Sequence, residues 1–378
     1  IWVVFVGEVL SPRAPSVRRA AMAPFGALGL WLAVGSSVAL VHADLIRLGP
    51  TPGCAKEGGL KSGSHTIMVQ DPELGSIRRE FLLVVPDELH SGPAGGAPLV
   101  LGFHGQGGKP WDWGPGAHFA KLARSHGWVA VFPAGLNEHG EPDGTDKTWN
   151  TGTAGDDSTC LDGTTSINCM DSCKRLNKCG RCNWATCYSD VAFIEQLIQK
   201  LEQDLCLDSQ RYFLVGESNG GMLTHYLIQE LPGKFLAAAP VFGLPLVGYL
   251  VGAKYQLITQ PEKARRTSML QLYDRTDIII PWQGGSTYDG WLYESMERAL
   301  GVWAAEHRCS PNAEPVHSPY SGGPKHVACS AYPGCSAGGR VMFCMYDGHH
   351  GQWPDQPRAA NLIWSFFEDV GIPTSFFT

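Results

Sequence analysis

The chain has 378 residues, 44% apolar and 17% charged, with a formal net charge of −7. No basic run accompanies that charge, which excludes the electrostatic footprint of a nucleic-acid or anionic-lipid binder. The length suits one α/β domain with insertions rather than a small module.

The first pattern along the chain is apolar. Phe25 to Val41 is an apolar run with small residues interspersed, preceded by Arg13, Arg18 and Arg19. It ends in Val41-His42-Ala43, the small-x-small pattern of a secretory cleavage site. Residues 1–43 are therefore expected to be an upstream extension and signal peptide, removed on secretion. A retained signal anchor is the competing reading, because the run approaches spanning length. No other run is long and apolar enough to span, so no stable membrane span is expected after cleavage. All twelve cysteines lie downstream of the cleavage pattern. An even count after a secretory signal predicts disulfides and an extracellular location.

Asp44 to about Ser64 is rich in Gly and Pro and reads as an arm that Cys54 could pin. Strands are predicted over His65–Val69 and Arg79–Pro86. A third, over Pro98–Phe103, is a continuous apolar run of the kind buried on both faces. A short helix over His118–His126 and a buried strand over Val129–Pro133 follow. Leu136 to about Thr186 is polar, and Cys160, Cys169, Cys173, Cys179, Cys182 and Cys187 crowd its second half and its end. Asp190–Leu205 reads as an amphipathic helix, with Phe193, Ile194, Leu197, Ile198 and Leu201 near helical spacing. Next come a strand at Tyr212–Val215, a helix at Met222–Leu231 and an apolar run at Phe235–Phe242. Leu244–Lys263 has no clear period and is expected to form part of a lid. A strand at Ser268–Tyr273, a helix at Tyr293–Glu306, a strand at Val341–Tyr346 and a helix at Arg358–Val370 complete the chain. This alternation implies a mostly parallel sheet with helices on both faces, in a single α/β domain over residues 44–378. The Cys-rich insertion occupies about residues 155–187.

Gly216-Glu217-Ser218-Asn219-Gly220 joins a predicted buried strand to a predicted helix. This is the G-x-S-x-G pattern of a nucleophile elbow. A serine on so sharp a turn needs flanking residues without side chains, because a Cβ there would meet the strand or the helix. The free N–H groups at the start of the helix favour a developing oxyanion. The plainer reading is a glycine-rich turn with an incidental serine; the strand before it and the helix after it favour the elbow. Such a serine needs a base, and the base an orienting acid, each after a later strand. Asp274 and Asp277 follow the strand ending at Tyr273. His349 and His350 follow the strand ending at Tyr346.

Taken together, the motifs resemble the secreted feruloyl esterase and polyhydroxybutyrate depolymerase branch of the α/β-hydrolases. The matching stretches are Arg79-Glu80-Phe81-Leu82-Leu83-Val84-Val85-Pro86, the turn His104-Gly105-Gln106, Asp190-Val191-Ala192-Phe193 and the elbow Gly216 to Met222. The acid turn Tyr273 to Trp282 and the histidine turn Asp347-Gly348-His349-His350-Gly351-Gln352-Trp353-Pro354 complete the set. The resemblance implies an α/β-hydrolase fold and a catalytic triad of Ser218, Asp277 and His350. It also implies an oxyanion hole from the backbone N–H groups of Asn219 and Gln106. Asp274 stands where that family has glycine, and the histidine turn carries one extra residue, so Asp274 and His349 are the alternatives to Asp277 and His350. His104 is expected to brace the oxyanion turn rather than do chemistry.

Cys179-Gly180-Arg181-Cys182 is a C-x-x-C that could suit zinc, but in a secreted chain disulfides take precedence. No metal or cofactor is expected. Trp149, Trp282 and Trp353, with Trp111 and Trp113, are the aromatic candidates for contact with substrate at the cleft rim. The expected activity is hydrolysis of a polysaccharide-linked feruloyl ester, with a polyester substrate of the polyhydroxybutyrate kind second. An inactive binding protein of the same fold and a peptidase are the rivals. Sequence leaves the oligomeric state open.

Overall fold

The computed structural model describes residues 49–371 except 57, 89–94, 111–115, 139–146, 153–156, 166–168, 251–266, 318–320 and 337. The predicted signal peptide, Trp111, Trp113 and most of the predicted lid lie outside the described residues. A ten-stranded sheet organises the rest. Its strands begin with β1 (Gly63–Asp71), β2 (Gly75–Val84), β3 (Ala97–Phe103), β4 (Val129–Pro133), β5 (Leu207–Glu217), β6 (Ala237–Val241) and β7 (Ser268–Asp274). After a small separate hairpin of β8 (Gly285–Ser286) and β9 (Leu292–Tyr293), the sheet ends with β10 (Glu314–Val316), β11 (Ala328–Ala331) and β12 (Val341–Tyr346). The helices are α1 (Gly116–His126), α2 (Asp171–Leu176), α3 (Asp190–Asp204), α4 (Asn219–Glu230), α5 (Met296–Glu306) and α6 (Gln356–Gly371).

The spatial order is β1-β2-β4-β3-β5-β6-β7-β12-β11-β10. From β4 to β12 the neighbours run parallel, while β1, β2, β10 and β11 add antiparallel edges. This is the α/β-hydrolase architecture that the motif order implied. Parallel strands need helical crossovers, which cover the faces, so β3, β4, β6 and β7 are buried along their whole length. Trp364 of α6 lies 4.4 Å from Trp128 and 6.3 Å from Phe119 of α1, and Phe367 stacks on Phe213 of β5 at 4.8 Å. Aromatic rings on α6 thus close the core beneath the central strands.

Four elements differ from the sequence expectation. Helix α4 starts at Asn219, not Met222, because Ser218 itself occupies the cap position. Helix α5 starts at Met296, where the Ser295 hydroxyl accepts a hydrogen bond from Arg298 N–H, and Tyr293 belongs to β9. The short edge strands β10 and β11 offered no alternating apolar pattern to find, since Cys329 is the one buried residue in the two.

All twelve cysteines are paired: 54–206, 160–182, 169–179, 173–187, 309–335 and 329–344. Cys179 and Cys182 of the C-x-x-C therefore bond to different partners. The insertion packs little apolar surface of its own, around Met170, Cys173 and Cys187. Instead it leans on the β8–β9 hairpin. Trp184 stacks on Trp291 at 4.5 Å and its indole N–H donates to Asp289, while Leu161 N–H donates to Gly290 O. On its other flank, Thr186 N–H donates to the Thr148 hydroxyl.

Candidate active site

Ser218 sits at the end of β5 with φ 53° and ψ −121°, outside the conformations an L-residue ordinarily adopts. The flanking glycines make that turn possible. A Cβ at Gly216 would stand 2.3 Å from Gly220 O, and one at Gly220 would stand 2.4 Å from Phe103 O. Ser218 N–H is held by Val241 O of the neighbouring strand and Ser218 O accepts from Met222 N–H, so strand and helix both fix the strained residue.

Three side chains from three different strand ends meet there. Ser218 Oγ lies 2.8 Å from His350 Nε2, and His350 Nδ1 lies 2.7 Å from Asp277 Oδ2. The carboxylate can only accept, so Nδ1 carries the proton and Nε2 is left to accept from the serine hydroxyl. Asp277 is buried, and its other oxygen accepts from Ile279 N–H and Ile280 N–H, both at 2.9 Å. Phe242 meets the His350 ring edge-on at 5.2 Å.

The alternatives are placed elsewhere. Asp274 is buried at the end of β7, where Oδ1 accepts from Thr276 N–H, the Thr276 hydroxyl and Gly348 N–H. It ties the acid turn to the histidine turn and does not bond to His350. His349 is exposed, and its carbonyl accepts from Gln352 N–H. The extra residue is thus taken up in the turn after the histidine pair.

The turn His104-Gly105-Gln106 passes beside the serine: a Cβ on Gly105 would lie 3.3 Å from Ser218 Cβ. His104 is fully buried, and Nε2 accepts from Gly135 N–H, which puts the ring proton on Nδ1, 2.7 Å from Gly105 O. Burial pushes the imidazole down to about 4, against the lift from the Gly105 carbonyl, so it stays neutral and acts as a brace.

Of the predicted rim tryptophans among the described residues, Trp149 and Trp353 are buried and Trp282 lines a separate cavity. Trp149 has no exposed surface; its indole N–H donates to His104 O and its ring tilts against the His104 ring at 4.9 Å. Its backbone N–H and carbonyl both bond to the Asn219 side chain, so it supports the site from beneath. Trp353 is buried as well, edge-on to Phe242 at 5.8 Å, with its indole N–H on Glu217 Oε2. Trp282 is half-buried and lines a separate cavity whose wall includes none of Ser218, His350 and Asp277. A sequence carries no signal that separates a loop tryptophan packed under a site from one at its mouth.

Two features escaped the sequence reading. Glu217, the variable residue of the elbow, is half-buried beside the serine. Burial pushes its carboxyl up to about 7, only partly offset by the bond from Trp353, the nearby His350 and Gly105 N–H. The other is a buried ion pair. Arg79 Nη2 lies 2.6 Å from Asp190 Oδ1, and Asp190 Oδ2 accepts from Asn150 N–H. The guanidinium also caps the Phe193 ring at 3.9 Å and donates to Ala134 O. Two of the motifs are therefore one structure: an Arg on β2 and an Asp at the start of α3, clamping the loop that carries Trp149. Among the described residues no His, Cys, Asp and Glu cluster is arranged to hold a metal ion, and no helix is long and apolar enough to cross a membrane.

No family profile matches the chain. It is 24% identical over 333 residues to the probable feruloyl esterase C of Aspergillus niger, spanning 84% of this chain and 90% of that protein. It is 24% identical over 326 residues to the feruloyl esterase C of Emericella nidulans, with the same two shares. Among solved structures it is similar to an acetyl xylan esterase from Aspergillus awamori, at 15% identity and a TM-score of 0.47, over 81% of this chain and 99% of that one. The chain is thus similar, along most of its length, to curated feruloyl esterases.

Proposed function

We propose that this protein is a secreted serine carboxylic ester hydrolase acting through an acyl-enzyme. The observation that carries the reading is the unbroken chain from Ser218 Oγ through His350 to Asp277 on a strained elbow. His350 Nε2 takes the serine proton as Oγ attacks the ester carbonyl, and Asp277 holds the tautomer and stabilises the imidazolium. The tetrahedral oxyanion is held by the backbone N–H groups of Asn219, first in α4, and Gln106, on the turn beside Ser218; loss of one such donor costs about 10²–10³ in rate. His350 then gives its proton to the leaving alcohol. Water enters, loses a proton to the same nitrogen and releases the acid.

The acyl group we propose is a hydroxycinnamoyl ester carried on a polysaccharide. Its support is the similarity to the two feruloyl esterases. Six disulfides support an oxidising compartment, with residues 1–43 as the signal that leads there. The test is Ser218→Ala. The variant should fold, lose labelling by a fluorophosphonate probe, and lose esterase activity by about 10⁴ or more. Activity retained in that variant would remove the nucleophile. The acyl preference is tested by comparing methyl ferulate with a 3-hydroxybutyrate dimer: the first should have the higher kcat/KM, and the reverse order would assign the polyester substrate.

A further inference from the structure

A cavity of about 580 Å³ opens where α5 crosses β12, beside the acid turn but without any residue of the Ser218–His350–Asp277 chain in its wall. That volume is within the range of about 300–1,000 Å³ usual for sites that take small molecules. Its wall is aromatic, with Trp282 from the loop after β7, Phe343 from β12 and Tyr332 just past β11. Its rim is polar and exposed at Glu297 and Asn312. Among the described residues of the wall the cation is Arg275, and it is already engaged: Nη1 is 2.7 Å from Asp347 Oδ1 and Nη2 donates to Met345 O.

The chemistry of the occupant follows from these groups. A compensated guanidinium, with the Glu297 carboxylate also in the lining, disfavours an anion. Flat rings favour a ligand with apolar faces. A rim that offers a carboxylate acceptor and an amide, which both donates and accepts, favours several hydroxyls over one. A short run of neutral sugar rings has all three properties. The rim's exposure lets such a chain continue out into solvent.

We propose that this cavity is a secondary carbohydrate site, which holds a neutral polysaccharide chain while an ester borne on it reaches Ser218. The last clause rests on the ester-hydrolase reading; the binding does not. The test therefore uses the full chain carrying Ser218→Ala, titrated with xylotetraose by calorimetry and by tryptophan fluorescence. Saturable binding is expected, weakened several-fold by Asn312→Ala and abolished, with its fluorescence change, by Trp282→Ala. On the Ser218 background, Asn312→Ala should lower the ratio of kcat/KM on feruloylated arabinoxylan to that on p-nitrophenyl acetate several-fold. No binding of xylotetraose, or binding that neither substitution weakens, would overturn the proposal. So would binding of free ferulic acid, in place of the sugar, that depends on Trp282. Asn312 is an exposed side chain, so its variant remains informative if Trp282→Ala does not fold.

Discussion

Glu217 and Ser218 are neighbours with opposite demands on the solvent. The serine needs access, whereas the carboxyl is folded back under the indole of Trp353. The carboxyl's value of about 7, raised by burial, means that the native state favours its protonated form. Its contribution to stability is complete below the ordinary carboxylate value near 4.5 and is lost as pH rises through about 7. Glu217→Gln keeps an acceptor for the indole and removes the charge. Urea unfolding at pH 5 and pH 8 should show a smaller loss of stability across that interval in the variant than in the wild type; equal losses would place the titration elsewhere. The paired acids separate at the same scale. Asp277→Asn should lower kcat by about 10⁴, because the imidazole loses the acceptor that fixes its tautomer. Asp274→Asn retains an acceptor for Gly348 N–H and should cost kcat little, while Asp274→Ala should lower it by releasing the histidine turn. Steady-state rates on p-nitrophenyl acetate decide the ranking.

At the scale of elements, the turn His104-Gly105-Gln106 is held from behind by a sequence of contacts that starts far away in the chain. Arg79 on β2 holds Asp190 on α3, Asp190 holds Asn150, and the adjacent Trp149 holds both His104 and Asn219. Breaking the pair from one side leaves a buried carboxylate without its cation, so Arg79→Met should destabilise by about 3–5 kcal/mol. Urea unfolding measures it, and a cost under about 1 kcal/mol would mean that water reaches Asp190. This arrangement also bears on what a sequence can reveal. The central strands were legible because burial on both faces leaves continuous apolar runs. Chain order and strand ends narrowed the candidates to Ser218, Asp274 or Asp277, and His349 or His350; the resemblance chose Asp277 and His350, the two whose side chains meet in line with Ser218. Arg79 and Asp190 are 111 residues apart, and nothing local in either stretch names the other. That Trp149 and Trp353 are buried was hidden for a related reason: whether an indole points inward depends on packing, and spacing does not encode it.

Over the whole molecule, acid should be the weak direction. His104 and His225 are both buried and both pushed down to about 4, chiefly by burial. A histidine buried neutral contributes stability above its ordinary value near 6.5, and that stability is lost as pH falls through about 4. Thermal unfolding should therefore show a falling Tm between pH 6.5 and 4. His225→Gln, which can still hydrogen-bond to Gln271, should flatten that fall. An unchanged slope would assign acid lability to other groups.

The Cys-rich insertion raises a question of assembly. Six cysteines can pair in 15 ways, and a segment with so little apolar surface of its own has scant means of preferring one. What distinguishes the native pairing is the seat it gives Trp184 on Trp291 and Leu161 on Gly290. The hairpin must then exist before the correct bonds are favoured, so the β8–β9 hairpin serves as the mould in which the insertion is cast. Oxidative refolding should accordingly yield scrambled insertion disulfides from a Trp291→Ala chain, read by peptide mapping, with Cys54–Cys206 and Cys329–Cys344 still formed.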